Sequence, residues 1–317
     1  MIYMKEKKRL PSLPSVGELF KQSFAVFEES IFKLILVGIS FLASIFLVAG
    51  FAGILLVVLF GSYFIGKTPV IPPEPLIMIG VVIVLLCLIS FLILVLVAGI
   101  APVLIVGGYK ENIGFWEAVK KSFRYIIPLY FTNLLIFLLC LGGFFLFVFP
   151  AIIFSFLFMF AAYEVILNEK RFFGAVRRSV LIVSRRFWPI LGRVVVFLTV
   201  YIILIGVIPS LLRGSSSGNI FVSIFITLVN FFAGYFSICY YITLYKQARV
   251  GLEKEEGGSY WWIWVIAILG FVMFFALIFI VSSLVVNLIQ QAGPSLMQNL
   301  ENMPSVDSNA FQQIEGI

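Results

Sequence analysis

The chain has 317 residues, of which 62% are hydrophobic and only 12% are charged, and its formal net charge is +7. Soluble domains are about half apolar and about a quarter charged, so this composition excludes an ordinary water-soluble protein. The basic residues lie in short segments between apolar runs, as at a cytoplasmic membrane surface. There is no soluble basic module, which excludes a nucleic-acid partner.

Metal and disulfide chemistry are not expected from the residue types present. The sequence has no histidine, and each of its three cysteines, Cys87, Cys140 and Cys239, lies alone in an apolar run. A His-ligated metal is therefore excluded, a disulfide framework is not expected, and we predict no cofactor.

Apolar runs predict seven transmembrane helices. A helix needs about 20 apolar residues to cross the hydrocarbon core of a bilayer. The run from 126 to 167 is long enough for two helices, and we expect Gly142, Gly143 and Pro150 to break it near the middle. The predicted spans are 34–65, 76–106, 126–147, 150–167, 187–212, 220–245 and 260–289.

The distribution of Lys and Arg predicts the orientation. With the N-terminus in the cytoplasm, alternation of seven spans places 20 of the 22 basic residues inside and only Lys67 and Arg213 outside. The tail after the last span has three acidic residues and no basic one. By the positive-inside rule, we predict a multi-pass protein of a cytoplasmic membrane, with its N-terminus inside and its C-terminus outside.

These boundaries divide the chain into five predicted parts. A cytoplasmic segment with an amphipathic helix (1–31) precedes a six-span membrane domain (32–249) and a cytoplasmic loop (250–259). A seventh span (260–290) and a polar extracytoplasmic tail (291–317) follow.

A short motif recurs before spans one, three and five. It reads Leu19-Phe-Lys-Gln-Ser-Phe24, then Ala118-Val-Lys-Lys-Ser-Phe123, then Ala175-Val-Arg-Arg-Ser-Val180. As a helix, the second copy has an apolar face and a charged face, which is typical of a helix that lies in the headgroup plane. The sequence therefore predicts an all-α, polytopic helical bundle made of three repeats, each an interfacial helix followed by a two-span hairpin, with a seventh span appended. Such repeats occur in transporters and also in proteins whose repeats serve only packing.

The third copy resembles a known group of proteins. The stretch from Asn168 to Ser179, continuing to Arg186-Phe-Trp188, is similar to the interfacial segment of prokaryotic six-span membrane proteins, over roughly residues 15–250. That group includes the membrane domain attached to some glycerophosphodiester phosphodiesterases and many stand-alone proteins of unknown function. In the group, phosphodiesterase activity belongs to a separate soluble domain rich in His, Glu and Asp. Because the sequence has no histidine, the resemblance implies an accessory membrane module and not that activity.

Two charged residues are predicted at the inner ends of spans. Glu164 lies near the cytoplasmic end of span four, and an acid inside a span is a candidate proton or cation site. Its structural alternative is a pairing at the interface with the nearby cluster 169–171. Arg193 lies one to two turns into span five, where its stem is expected to reach the inner headgroups. The functional alternative for Arg193 is a pair with Glu164.

Amides and tyrosines supply the remaining polar groups of the spans. Asn133 and Asn230 are expected to form hydrogen bonds between helices, with a polar substrate path as the alternative. The tyrosines near the end of span six are expected to belong in part to an interfacial aromatic belt. They are Tyr235, Tyr240, Tyr241 and Tyr245.

The predicted inner face carries the most specific binding hypothesis. Basic side chains at an anionic leaflet each contribute about 1 kcal/mol of attraction, and this face is therefore expected to contact anionic headgroups. The residues are Lys120, Lys121, Arg124, Arg177, Arg178, Arg185 and Arg186.

No catalytic motif is present in the sequence. It contains no GxSxG, HExxH or GxxxxGK[ST] pattern, and the absence of histidine removes the commonest general base. We therefore predict a non-catalytic structural, lipid-associated or accessory membrane module. A small-solute or lipid transporter is the first alternative, and a membrane enzyme is the second. A transporter predicts a polar cavity at mid-depth lined by Asn133, Asn230 or tyrosines, whereas a scaffold predicts a dry interior.

Overall fold

A computed structural model describes residues 11–65, 74–108, 111–146, 148–215, 220–252 and 261–301. Ten α-helices, α1 to α10 in chain order, account for most of these residues, and a π-helical turn at Ile203–Val207 joins α7 to α8. The helices are Val16–Ile65, Glu74–Gly107, Phe115–Leu146, Val148–Leu157, Ala161–Asn168, Phe173–Arg185, Phe187–Ile202, Ile208–Ser215, Ile220–Arg249 and Trp261–Glu301.

The predicted helical membrane fold is confirmed. Within the described residues, seven helical segments are long and apolar enough to cross a membrane. They are Val16–Leu55, Met78–Gly107, Phe115–Phe144, Pro150–Asn168, Phe187–Leu212, Ile220–Arg249 and Ile268–Asn287. The last helix continues to Glu301, beyond the predicted end of span seven, because polar residues end an apolar span without ending a helix.

The described residues separate into two compact units. One comprises residues of Met1–Phe137 and Ile152–Tyr260, and the other comprises residues of Leu138–Ala151 and Trp261–Ile317. The first unit contains the two hydrophobic clusters and the polar groups discussed below.

In the second unit, glycines that were expected to break a span lie inside a helix. α3 runs through Gly142 and Gly143 to Leu146, and α4 starts at Val148 with Pro150 in its first turn, where proline is tolerated. A Cβ atom on Gly142 would lie 2.7 Å from the carbonyl oxygen of Ile266 in α10. Gly142 therefore permits close packing of α3 against α10.

The three motif copies adopt two arrangements. The first two copies form the opening turns of α1 and α3, whereas the third forms α6, which Arg186 separates from α7 by leaving the helical region (φ −134°, ψ 34°). The start of α1 is fixed by a capping box, in which Ser15 and Glu18 each accept the other's backbone N–H.

The apolar face of α6 packs against protein, which differs from the prediction that the apolar face of this interfacial helix turns toward lipid, while Arg177 and Arg185 on its other side are exposed. It contributes Ala175 to one hydrophobic cluster and Ile182 and Val183 to the other. Its apolar face is covered by protein because α6 packs against α5, α7 and α9.

Ser179, the motif serine of α6, forms hydrogen bonds to both sides of a break in the helix of span four. α4 ends at Leu157 and α5 begins at Ala161, and between them the regular helical hydrogen-bond pattern is interrupted at the Leu157 carbonyl and the Phe160 N–H. The buried Ser179 hydroxyl donates to the Leu157 carbonyl (2.7 Å) and accepts the N–H of Phe160 (3.2 Å). The equivalent Ser122 bonds only within its own helix, to the Ala118 carbonyl (2.7 Å).

Candidate functional site

The basic segments of the first unit meet at one end, which we call the basic end. Here α2 ends, α3 begins, and α5 and α9 end, around a cavity of about 540 Å³. The first part of α1 also reaches this end, because Gln247 donates to Gln22 (3.3 Å) and Lys33 donates to Asn112 (2.6 Å). We call this cavity the polar pocket. Its lining residues are Leu104, Gly107, Gly108, Glu111, Ile113, Lys121, Arg124, Tyr125, Ile166, Leu167, Asn168, Glu169, Tyr245, Lys246 and Arg249.

Two of the basic residues in the pocket wall are paired with glutamates. Lys121 Nζ lies 2.8 Å from Glu117 Oε1 on the same helix, and Arg124 Nη2 lies 3.4 Å from Glu169 Oε2. All four side chains are about half exposed or more, so water screens these pairs and they contribute little to stability.

The other two basic residues of the wall come from the end of α9. Lys246 Nζ donates to the carbonyl oxygen of Gly107 (2.6 Å), and Arg249 Nη1 donates to Asn168 Oδ1. The buried Nε of Arg249 has no hydrogen-bond partner among the described residues. A guanidinium whose bonded partner is a neutral amide keeps its charge available to an anion.

A chain of hydrogen bonds connects Arg249 to a buried carboxylate. Arg249 donates to Asn168, the Asn168 amide donates to the Tyr245 hydroxyl, and that hydroxyl donates to Glu164 Oε1 (2.9 Å). Glu164 is only 1% exposed, and Arg178 Nε lies 4.0 Å from the same oxygen. The network gives the buried Glu164 carboxylate hydrogen-bond and charge partners, and it holds the Asn168 and Tyr245 side chains that position the Arg249 guanidinium.

The alternative pairing of Glu164 with Arg193 is not formed. Arg193 donates instead to the backbone carbonyls of Leu13, Pro14 and Pro189, at 3.1 Å for Leu13 and 2.7 Å for Pro189. The structural alternative for Glu164 at 169–171 is also corrected, because its partners are Tyr245 and Arg178. Arg193 therefore anchors the chain that leads into α1.

Two arginines predicted to contact headgroups are buried. Arg178 is 8% exposed and Arg186 is 6% exposed. Arg178 donates to the Leu252 carbonyl, and Arg186 donates to those of Gln247 (3.2 Å) and Val250 (2.8 Å). Burial lowers the pKa of the Arg186 guanidinium from its usual range, but arginine stays protonated at neutral pH. The headgroup prediction is corrected for both residues, since they bind carbonyls in the last turn of α9 and in the segment that follows it.

The remaining predicted basic residues lie on the surface of the basic end. They are all exposed, so the structure leaves them accessible to headgroups, and contact with lipid stays a prediction. These residues are Lys120, Lys121, Arg124, Arg177 and Arg185.

The two span asparagines do not connect helices in the described part of the chain. Asn133 and Asn230 are exposed, and no hydrogen bond of their side chains occurs among the described residues. They line neither the polar pocket nor a second cavity of about 370 Å³, although tyrosines, the alternative lining of the predicted path, occur in both cavities. The second cavity is lined by Ser155, Phe156, Met159, Tyr163, Val194 and Tyr241.

Sequence reasoning missed the α9 and α5 contributions to the pocket. Tyr245 was assigned in part to an aromatic belt but is 1% exposed, and Lys246 and Arg249 were counted only as loop charges. The spacing of Tyr245 and Arg249 by one helical turn, at the end of a span, is a signal that places both on one face of α9. No signal in the sequence places Asn168 between them.

The seven long apolar helical segments among the described residues define a multi-pass integral membrane protein. Among the described residues, no group of three His, Cys, Asp or Glu side chains is placed to hold a metal. No protein-family model, curated protein or solved structure matches the chain, so the resemblance to the six-span proteins stays a prediction.

Proposed function

We propose that this protein is a non-catalytic, lipid-associated membrane module whose basic end binds anionic headgroups in the cytoplasmic leaflet of a prokaryotic plasma membrane. The observation that carries the proposal is the exposure of basic side chains on α3 and α6, together with the four cations that line the polar pocket. Lys120 and Lys121 come from α3, and Arg177 and Arg185 come from α6.

Electrostatics supports lipid as the partner of this surface. The exposed cations lie where spans end, which is the depth of lipid phosphates, and each contributes about 1 kcal/mol near an anionic leaflet. Burial of Arg178 and Arg186 reduces the number of contributing side chains but leaves this surface positive.

The test compares lipids around the full-length protein in reconstituted bilayers. Spin-labelled phosphatidylglycerol and phosphatidylcholine report how strongly each lipid associates with the protein. We expect the native protein to prefer phosphatidylglycerol, and the variant with Lys120→Gln, Arg177→Gln and Arg185→Gln to lose most of that preference. Added salt is expected to weaken the native preference more than that of the variant.

A control variant on the opposite side, which removes two positive charges against three in the surface variant, tests whether the position of the charges matters more than the net charge. Lys67→Gln with Arg213→Gln changes the two basic residues predicted on the opposite side of the membrane and is expected to reduce the preference less than the surface variant. An unchanged preference in the surface variant would overturn the proposal. Preserved thermal unfolding midpoints show that the substitutions have not disturbed the fold.

A further inference from the structure

We infer that the polar pocket is a binding site for a dianionic phosphoryl group, carried by a lipid headgroup or by a soluble phosphomonoester. The lipid form of this ligand rests on the proposed function. The phosphoryl chemistry rests on the charges of the pocket and on Arg249, which neighbouring side chains hold in position.

The charge of the wall matches a dianion. The described lining residues include four cations, Lys121, Arg124, Lys246 and Arg249, and two carboxylates, Glu111 and Glu169, which leaves a net charge of about +2 on the lining, with Lys121 also paired to Glu117 outside it. A phosphomonoester carries a charge of about −1.5 to −2 at neutral pH, whereas a phosphodiester carries one negative charge. The pocket therefore favours the monoester.

Arg249 has the geometry and the available charge for this ligand. Its planar guanidinium offers several N–H donors, and such a group binds phosphate through paired hydrogen bonds. Its bonded partner among the described residues is the neutral amide of Asn168, and its buried Nε has no partner there. A phosphoryl oxygen is a stronger acceptor than the amide.

The side chains behind Arg249 hold it in position. Asn168 and Tyr245 connect it to the Glu164 carboxylate, which is fixed within the protein. Preorganised donors bind an anion more tightly because less side-chain freedom is lost on binding. Asn168 and Tyr245 are thus positioning residues for the site.

The volume of the pocket indicates the size of the ligand. At about 540 Å³ it lies within the roughly 300–1,000 Å³ range of small-molecule sites. It is therefore large enough for a phosphoryl group together with the small organic group that carries it. Its place at the ends of spans two, three, four and six is where a headgroup would enter.

The first test is calorimetric titration of the full-length protein with inorganic phosphate, at constant ionic strength in neutral detergent. We expect saturable binding that Arg249→Gln weakens about tenfold or more, since a charge-assisted hydrogen bond contributes about 1.5–3 kcal/mol. Arg177→Gln removes an exposed arginine of the same surface that does not line the pocket, and it is expected to leave the affinity within about twofold. Absence of saturable binding, or equal weakening by both variants, overturns the inference.

A second matched pair keeps the test decisive if Arg249→Gln does not fold. Lys121 lines the pocket, whereas its neighbour Lys120 does not, and both are exposed on α3. Lys121→Gln is expected to weaken phosphate binding several-fold, and Lys120→Gln is expected to have little effect. Identical affinities of these two variants would count against the site.

The source of the phosphoryl group is decided with lipid vesicles. If the native protein retains phosphatidic acid and the Arg249→Gln variant does not, the ligand is a lipid headgroup. If the protein binds inorganic phosphate but does not retain phosphatidic acid, the ligand is a soluble phosphomonoester. If phosphatidic acid and phosphatidylglycerol are retained equally, and both depend on Lys120 and Arg177, the pocket is not selective and the inference fails while the proposed function stands. If surface substitutions have no effect and Arg249→Gln still abolishes phosphate binding, the proposed function fails and the inference stands.

Discussion

The Tyr245 hydroxyl donates a hydrogen bond to Glu164 Oε1 across 2.9 Å, and each residue is only 1% exposed. The bond joins α9 to α5 beneath the polar pocket and supplies a donor to a buried carboxylate. Leaving a buried charge without a donor is costly, so this pair is a sensitive point of the fold.

Tyr245→Phe is therefore expected to destabilise the protein by about 1–3 kcal/mol, the cost of leaving a buried acceptor unsatisfied. Tyr241→Phe is the matched control, because the described residues contain no hydrogen bond of the Tyr241 hydroxyl, and it is expected to change stability little. Thermal and denaturant unfolding of the purified protein measure both. In a Glu164→Ala background, the effect of Tyr245→Phe should largely disappear, and full persistence there would contradict the assigned bond.

Ser179→Ala is expected to destabilise the break between α4 and α5 by about 1–3 kcal/mol, because both the Leu157 carbonyl and the Phe160 amide lose their partner. Ser122→Ala removes the equivalent hydroxyl of the second motif copy, which bonds only within α3, and a smaller effect is expected. Hydrogen exchange at the Phe160 amide measures the difference directly. Unchanged protection at that amide in the Ser179 variant would be inconsistent with the bridge.

Gly270→Ala is expected to lower stability by about 1–3 kcal/mol because a Cβ atom would collide with the Leu138 carbonyl oxygen in the same unit. Gly53→Ala provides the control, since a Cβ atom there meets nothing within 4 Å, and a gain of up to about 1 kcal/mol is expected from helix propensity. Unfolding midpoints in detergent distinguish the two. Equal midpoints for the Gly270 variant and the native protein would rule out the close packing.

The predicted orientation is testable with terminal tags in intact cells. An N-terminal tag is expected to be protected from external protease and a C-terminal tag is expected to be cleaved, because most basic residues lie in segments on the side of the N-terminus. Permeabilised cells provide the control, in which both tags are accessible. External cleavage of the N-terminal tag in intact cells would reverse the topology and move the basic end away from the cytoplasmic leaflet.

The spans were predictable because an uncharged run of sufficient length has few alternatives to a membrane helix. The repeat was also visible in sequence, and its serines proved structurally important at Ser179. The amphipathic pattern of α6 was less informative, because an apolar face fits lipid and protein equally well. Burial of Arg178 and Arg186 depends on where α9 ends, which the α6 motif does not encode.

The polar pocket was largely unpredictable for a related reason. Its wall combines the ends of helices that are far apart in sequence, so Lys121, Asn168 and Arg249 meet only after the helices pack. Sequence spacing reports neighbours along one helix, and it correctly placed Lys121 and Arg124 on the charged face of α3. Contacts between helices, including the chain from Glu164 to Arg249, require the tertiary structure.

The buried arginines Arg178, in α6, and Arg186, directly after it, have a consequence for biosynthesis. Arg178 and Arg186 bind the carbonyls of Gln247, Val250 and Leu252, which the ribosome adds only after two further spans have been made. Until then these carbonyl acceptors do not exist, although Glu164, which lies 4.0 Å from Arg178, has already been made. The bonds from Arg178 and Arg186 to the end of α9 can therefore form only once that end has been translated, so this contact closes late in membrane insertion.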